Sequence, residues 1–177
     1  MSTQKTVRQR SGSVESNGLR LDERTAEQVV DALNRDLAAT SVLYHQLKKH
    51  HWNVEGAEFR ELHLFLGEAA EEAEEAADEL AERAQAIGGV PVAGGANLEE
   101  HAPAEPEGDD VYDVRTSLAN DLELYGDVIE SLREHIRLTN DLGDYASEEL
   151  LREILEDVEE AAHHVEHYLE DDSLVEA

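Results

Sequence analysis

The chain has no cysteine, which removes disulfides and thiolate metal sites together. Proline occurs three times and tryptophan once, too little for a proline-rich linker or an aromatic-lined groove. No apolar run approaches the roughly 20 residues that span a bilayer. The N-terminus is polar rather than a secretory leader, so the expected location is the cytoplasm. Cations are scarce as well: 14 lysines and arginines face 43 aspartates and glutamates, for a formal charge of −29. Only Lys5, Lys48 and Lys49 are lysines. This balance weighs against DNA as a partner, because phosphate binding by released counterions also fades with salt. It fits either a disordered acidic chain or a fold adapted to concentrated salt, where the Debye length shrinks to about 3 Å at 1 M and carboxylate repulsion is screened.

Helical periodicity decides for the fold. Alanine, leucine and glutamate dominate, and 177 residues suit one all-α domain. Residues 1–20 carry no period and read as a flexible tail, with Lys5, Arg8 and Arg10 as a small basic cluster. The first helix is expected over 22–51, with Asp22 as N-cap and Val29, Leu33, Leu37, Tyr44, Leu47 and His51 on its inward face. His50 lies about 100° round from that face and is expected toward solvent or supporting the metal ligands from behind. A second helix is expected over 57–87. A glycine- and proline-rich crossover follows at 88–110, in which Asn97–His101 makes a helical turn. The third helix is expected over 113–140, with His135 on its surface. Gly143 then stops the chain and Asp144 or Ser147 caps a fourth helix over 145–170. The body is thus 21–170, with 171–177 as a frayed tail.

The chemistry concentrates between His50 and Pro91. His63, Gly67, Glu71, Glu75 (or Glu74), Asp78 and Glu82 recur every three or four residues along one stripe of the second helix. Histidine followed by carboxylates suits a first-row metal such as iron or zinc. His63 and Asp78, however, are separated by a rise of roughly 22 Å, which no ion bridges. A second copy lying antiparallel across a two-fold axis would bring the histidine of one chain to the acids of the other, giving two equal sites per dimer.

These residues resemble a known family. His51-Trp52-Asn53-Val54-Glu55-Gly56-Ala57-Glu58-Phe59-Arg60-Glu61-Leu62-His63 is similar to the first signature of the Dps proteins, the mini-ferritins of starved or oxidatively stressed cells. Asp78-Glu79-Leu80-Ala81-Glu82-Arg83, followed by Ile87-Gly88-Gly89-Val90-Pro91, is similar to the second. The acidity resembles that of haloarchaeal members. The resemblance implies a ferritin-like four-helix bundle, a short extra helix in the crossover between its second and third helices, and assembly into a hollow homododecamer. It also implies iron as the metal, with iron(II) oxidised by hydrogen peroxide and stored as ferric mineral. DNA would thereby be protected in the cytoplasm or on the nucleoid. His51, His63, Asp78 and Glu82 would be the ferroxidase ligands shared across the two-fold, and Trp52 an electron donor beside them. One departure stands out: Gly67 occupies a position where the family usually has a carboxylate. Glu68 or Glu71 is a compensating candidate, and Glu71 and Glu75 are candidates for mineral nucleation.

Two further sets are singled out. His163 and His167 share one face of the fourth helix at i and i+4, a chelating spacing, against the plainer reading of a surface pair. Asp141, Asp144 and Glu148 could line an acidic pore for iron(II). Two rival functions are a DNA-compacting protein without oxidase activity and a ferritin with its di-iron site inside one subunit. The latter wants Glu-x-x-His twice, and only Glu160-x-x-His163 stands clearly on a bundle helix. Salt adaptation gives a first test: the melting temperature should fall as potassium chloride is lowered from molar to millimolar, and a salt-independent melt would overturn it.

Overall fold

The structure is a computed structural model that describes residues 6–170. Lys5 of the basic cluster and the frayed tail expected at 171–177 lie outside the described residues. Helices are the only regular elements among them: α1 (Glu23–Asn53), α2 (Phe59–Ala86), α3 (Gly95–His101), α4 (Val114–Leu142) and α5 (Tyr145–Leu169). None is long and apolar enough to cross a membrane. Local signals set several of the helix ends. The Asp22 carboxylate accepts from the Arg24 and Thr25 amides at 3.1 and 3.3 Å and opens α1. Asp113 accepts from the Thr116 amide at 3.0 Å and opens α4. Gly143 closes α4 in the left-handed region at φ 74°.

The four long helices form the bundle. α1 lies along α2 and α4, and α5 lies along α4 and α2. Leu33, Leu43, Leu47, Leu62, Leu66, Leu80, Leu132 and Leu151 fill the core, each buried essentially completely. Alanines at 69, 70, 73, 76 and 84 give α2 a thin buried face, so the helix axes approach closely. The crossover between α2 and α4 climbs along α1. At its lower end the Asn34 side chain donates to the Val90 carbonyl at 3.2 Å and accepts from the Val92 amide at 2.8 Å; α3 then packs on α1.

The upper end of the crossover is held by charge. Glu107 contacts Lys49 Nζ at 2.5 Å and His50 Nε2 at 2.6 Å, and accepts from Asn120 at 2.5 Å. On its other side, His50 Nδ1 lies 2.8 Å from the buried Asp121 carboxylate, which also accepts from Gln46 at 3.0 Å. His50 is therefore buried between two carboxylates, not solvent-facing as its helical phase suggests; its cover comes from another part of the chain. Burial lowers the His50 pKa, but Asp121 and Glu107 outweigh it and the net direction is up. Burial likewise pushes Glu107 up, yet Lys49, Asn120 and His50 bring it below its usual value. Asp121 is pushed up by burial against the pull of His50 and Gln46. The imidazolium is the form the geometry favours, because both ring nitrogens face acceptor-only carboxylates.

A second buried histidine corrects another expectation. His135 Nδ1 meets Asp36 Oδ2 at 2.7 Å, and Ser131 donates to the other Asp36 oxygen at 2.6 Å. His135 is thus an α1–α4 tie rather than a surface group. The residues preceding α1 also depart from the loose tail read in the sequence. From Gln9 to Asn17 they lie across the end of α2. Gln9 and the Glu15 amide both donate to the Gly88 carbonyl, at 2.8 and 2.9 Å, and Asn17 donates to that of Ile87 at 3.2 Å. Gly88 permits this with φ 97° and no side chain, since a Cβ there would come 2.0 Å from the Glu15 carbonyl oxygen.

His50→Ala leaves Asp121 buried without its counter-charge and should cost about 3–5 kcal/mol. The pH dependence follows from the two directions. The raised His50 pKa gives stability that is complete below its ordinary value of 6.5 and lost as pH rises through the raised value. The lowered Glu107 pKa gives stability complete above 4.5 and lost as pH falls through the lowered value. The His50 and Glu107 contributions to this clamp are together strongest between those ordinary values, while the raised Asp121 carboxyl gives up stability as pH rises above its ordinary 3.8. Melts of the metal-free protein across pH should show that maximum, and His50→Ala should flatten it; an unchanged profile would refute the clamp.

Candidate metal centre

The corner between α1 and α2 brings two predicted ligands together. His51 ends α1 and His63 lies in the second turn of α2. Each imidazole donates from Nδ1 to the other residue's carbonyl oxygen, His51 to His63 at 2.7 Å and His63 to His51 at 2.9 Å. With Nδ1 carrying the proton, each Nε2 keeps a lone pair for a metal. The rings stack 3.9 Å apart and 17° from parallel, and Phe59 stacks on the outer face of His63 at 5.1 Å. The arrangement is a stiff two-nitrogen donor, half-buried and set at one end of the bundle.

Gly67 explains itself here. A Cβ at this position would stand 3.1 Å from both Cε1 and Nδ1 of His51. The His51 ring packs close to Gly67 of α2, where another residue would project a side chain. A side chain at 67 would require the His51 ring to give way by a few tenths of an ångström. Glu68 does not take over: it is exposed and lines a cleft with Glu61, His164 and His167, toward α5. Glu71 is exposed further along α2.

Asp78 and Glu82 are exposed near the far end of α2, roughly 22 Å from His63 along the rod. Within one chain the structure does not bring them to the histidines. No three metal-binding side chains converge among the described residues. Trp52 stands beside His51 with 69% of its surface open. Phe59 and Leu64, also exposed, share this end of the helix pair.

The remaining predicted residues fall into three places. Glu75 joins Glu72, Glu79, Glu153 and Asp157 around a crevice of about 310 Å³ between α2 and α5. The Tyr125 hydroxyl, buried and without a hydrogen-bond partner among the described residues, lies in the same crevice. Glu72 has its pKa raised by burial first and then by Asp157, Glu160 and Glu68. Glu79 is raised by burial and by Glu75, Glu153 and Asp157. Asp144 is buried at the start of α5, where it accepts from the Ser147 amide at 3.3 Å and hydroxyl at 2.6 Å and pairs with Arg83 at 2.7 Å. Asp141 stays exposed, and Glu148 is bonded to Arg152 at 2.6 Å. His163 and His167 face each other on exposed α5, with Nε2 atoms 3.1 Å apart.

The chain matches the ferritin-like domain over residues 30–175. It is 65% identical to the DNA protection during starvation protein of Halobacterium salinarum, over 99% of this chain and 97% of the relative. The crystal structure of an archaeal Dps homologue from the same organism superposes with a TM-score of 0.94 at 64% identity, covering 99% of this chain and 98% of that one. The Dps protein of Vibrio cholerae, described as a member of a broad superfamily of ferritin-like diiron-carboxylate proteins, superposes with a TM-score of 0.82 at 25% identity, covering 89% and 99%.

Gly67→Ala tests the histidine pair directly. Alanine is favoured in a helix by about 1 kcal/mol, while crowding a packed site costs about 1–3 kcal/mol. A net loss of stability is expected, with the two hydrogen-bonded imidazole N–H resonances shifted or lost. A variant that melts later and keeps both resonances would show that His51 does not lie on Gly67.

Proposed function

Because the chain belongs to the ferritin-like family, on its Dps branch, we propose that it oxidises iron(II) at sites shared between subunits and stores the product as ferric mineral. Membership in a family of diiron-carboxylate type supports iron oxidation in general. The observation that carries the finer reading is the separation on α2. One end presents two imidazoles with free Nε2 atoms; the other presents Asp78 and Glu82, neither engaged in a hydrogen bond or ion pair among the described residues. Each end is half of an iron site. An antiparallel partner supplies the missing half twice over.

The roles follow from the donors. His51 and His63 hold iron(II) through nitrogen, and the partner's carboxylates neutralise the charge that grows on oxidation. Hydrogen peroxide is the proposed oxidant: it accepts two electrons, one from each of two iron(II) ions, and with two protons leaves as two water molecules. No one-electron reduction to hydroxyl radical occurs, and Trp52, beside His51, supplies an electron when the iron stoichiometry falls short. DNA is protected by removing iron(II) and peroxide together, which needs no contact with DNA. Assembly is proposed as a homododecamer, with Glu71 and Glu75 offering carboxylates for mineral growth and Asp141 and Glu148 for iron entry.

Subunit mixing tests the shared site. His63→Ala and the double variant Asp78→Ala, Glu82→Ala should each lose peroxide-dependent iron(II) oxidation. Reassembled together in equal amounts, they should recover about a quarter of the parent rate, since half of random interfaces are mixed and each mixed interface restores one of two sites. No recovery would place the site within one chain; full activity of His63→Ala would remove the histidine from it.

A further inference from the structure

We propose that His163 and His167 form a separate cation clip, built within one chain at the exposed end of α5, for a borderline divalent ion such as zinc, nickel or iron(II). The two Nε2 atoms are 3.1 Å apart, with ring centroids at 4.3 Å and planes at 66°. Two bonds of about 2.0–2.1 Å from one metal, opened between right-angled and tetrahedral, set their nitrogens about 2.9–3.4 Å apart. The observed spacing falls inside that window before any metal is present. An imidazole pair at this distance shares one proton between two lone pairs, and a cation in its place satisfies both.

Three surrounding features favour the same occupant. The Glu166 carboxylate lies 3.4 Å from His163 Nδ1, on the side away from His167. As acceptor it favours the proton on Nδ1 and leaves Nε2 as the donor to metal. Both histidines occupy the closing turns of α5 (Tyr145–Leu169), where the helix dipole presents its negative end. The intervening His164 turns instead to Phe65 on α2, 5.8 Å between rings, so the clip is the i, i+4 pair alone and water completes the sphere. Neutral imidazoles bind through a lone pair rather than net charge, so the clip keeps its affinity in molar salt, where exposed carboxylates lose most of theirs.

This site stands whether or not the chain oxidises iron, and its test separates the two. Zinc chloride is titrated calorimetrically into the metal-free, assembled protein in molar potassium chloride. The His63→Ala protein should still bind one zinc per chain. His163→Ala and His167→Ala should each weaken that class by about a hundredfold, the loss of a chelate partner. Both side chains are exposed, so the melting temperature should not move. Glu166→Gln should weaken it by about tenfold. A His63→Ala protein that binds no zinc, or a His163→Ala protein with zinc stoichiometry and affinity unchanged, would overturn the clip.

Discussion

A helix cannot bring its own ends together, and that rule governs this molecule. α2 runs from Phe59 to Ala86 without proline, so its histidine end and its acid end stay apart by the full length of the rod. Everything else holds that rod in place. The imidazole–carbonyl exchange between His51 and His63 fixes its first turns against the end of α1. The strap from Gln9 to Asn17, bonded over Gly88, fixes its last. Arg83, reaching Ser147 and Asp144, ties the same end to the start of α5. The histidine end and the acid end are thereby held at a fixed separation and direction, which is what the proposed symmetric partner would need to meet them both.

The buried polar groups serve the crossover in the same way. A connection from Ile87 to Asp113 crossing the length of a bundle has little apolar side chain to anchor it. Glu107 instead reaches a pocket already prepared by Gln46, Lys49, His50 and Asn120. Asp36, Ser131 and His135 repeat the arrangement half-way down the α1–α4 seam. Replacing such groups with well-packed apolar ones often costs nothing in stability, whereas removing one partner is expensive. Their service is to register α4 against α1 and bring the chain over the top of α1 next to His51.

How much of this could be read from the residues depends on where each partner comes from. The four long helices were legible because their apolar periods and caps are local; Asp22 and Gly143 act where the sequence places them. The short helix in the crossover was legible too, although it begins at Gly95. The pairing of His51 with His63 was legible through the family signature that spans both. His50 and His135 were misread because their partners, Glu107 with Asp121 and Asp36, lie 57 to 99 residues away, and helical phase carries no trace of them. Asp144 carried two readings, cap and pore; the cap is present, with Arg83 paired to the same carboxylate. Gly67 was visible as a missing carboxylate, but the imidazole packed against it appears only when α1 and α2 are side by side.

The missing carboxylate and the surplus of carboxylates elsewhere then have a common logic. In concentrated salt a surface acid is screened and binds cations weakly through charge, whereas an imidazole nitrogen bonds a first-row metal through its lone pair. At 67 the chain has glycine, against which the His51 imidazole packs closely with its tautomer fixed. Acids remain where they are many and mutually repelling, as around the α2–α5 crevice, where Glu72 and Glu79 resist ionisation because of burial and of each other's neighbours. Cations gathering there relieve that repulsion without needing a defined geometry.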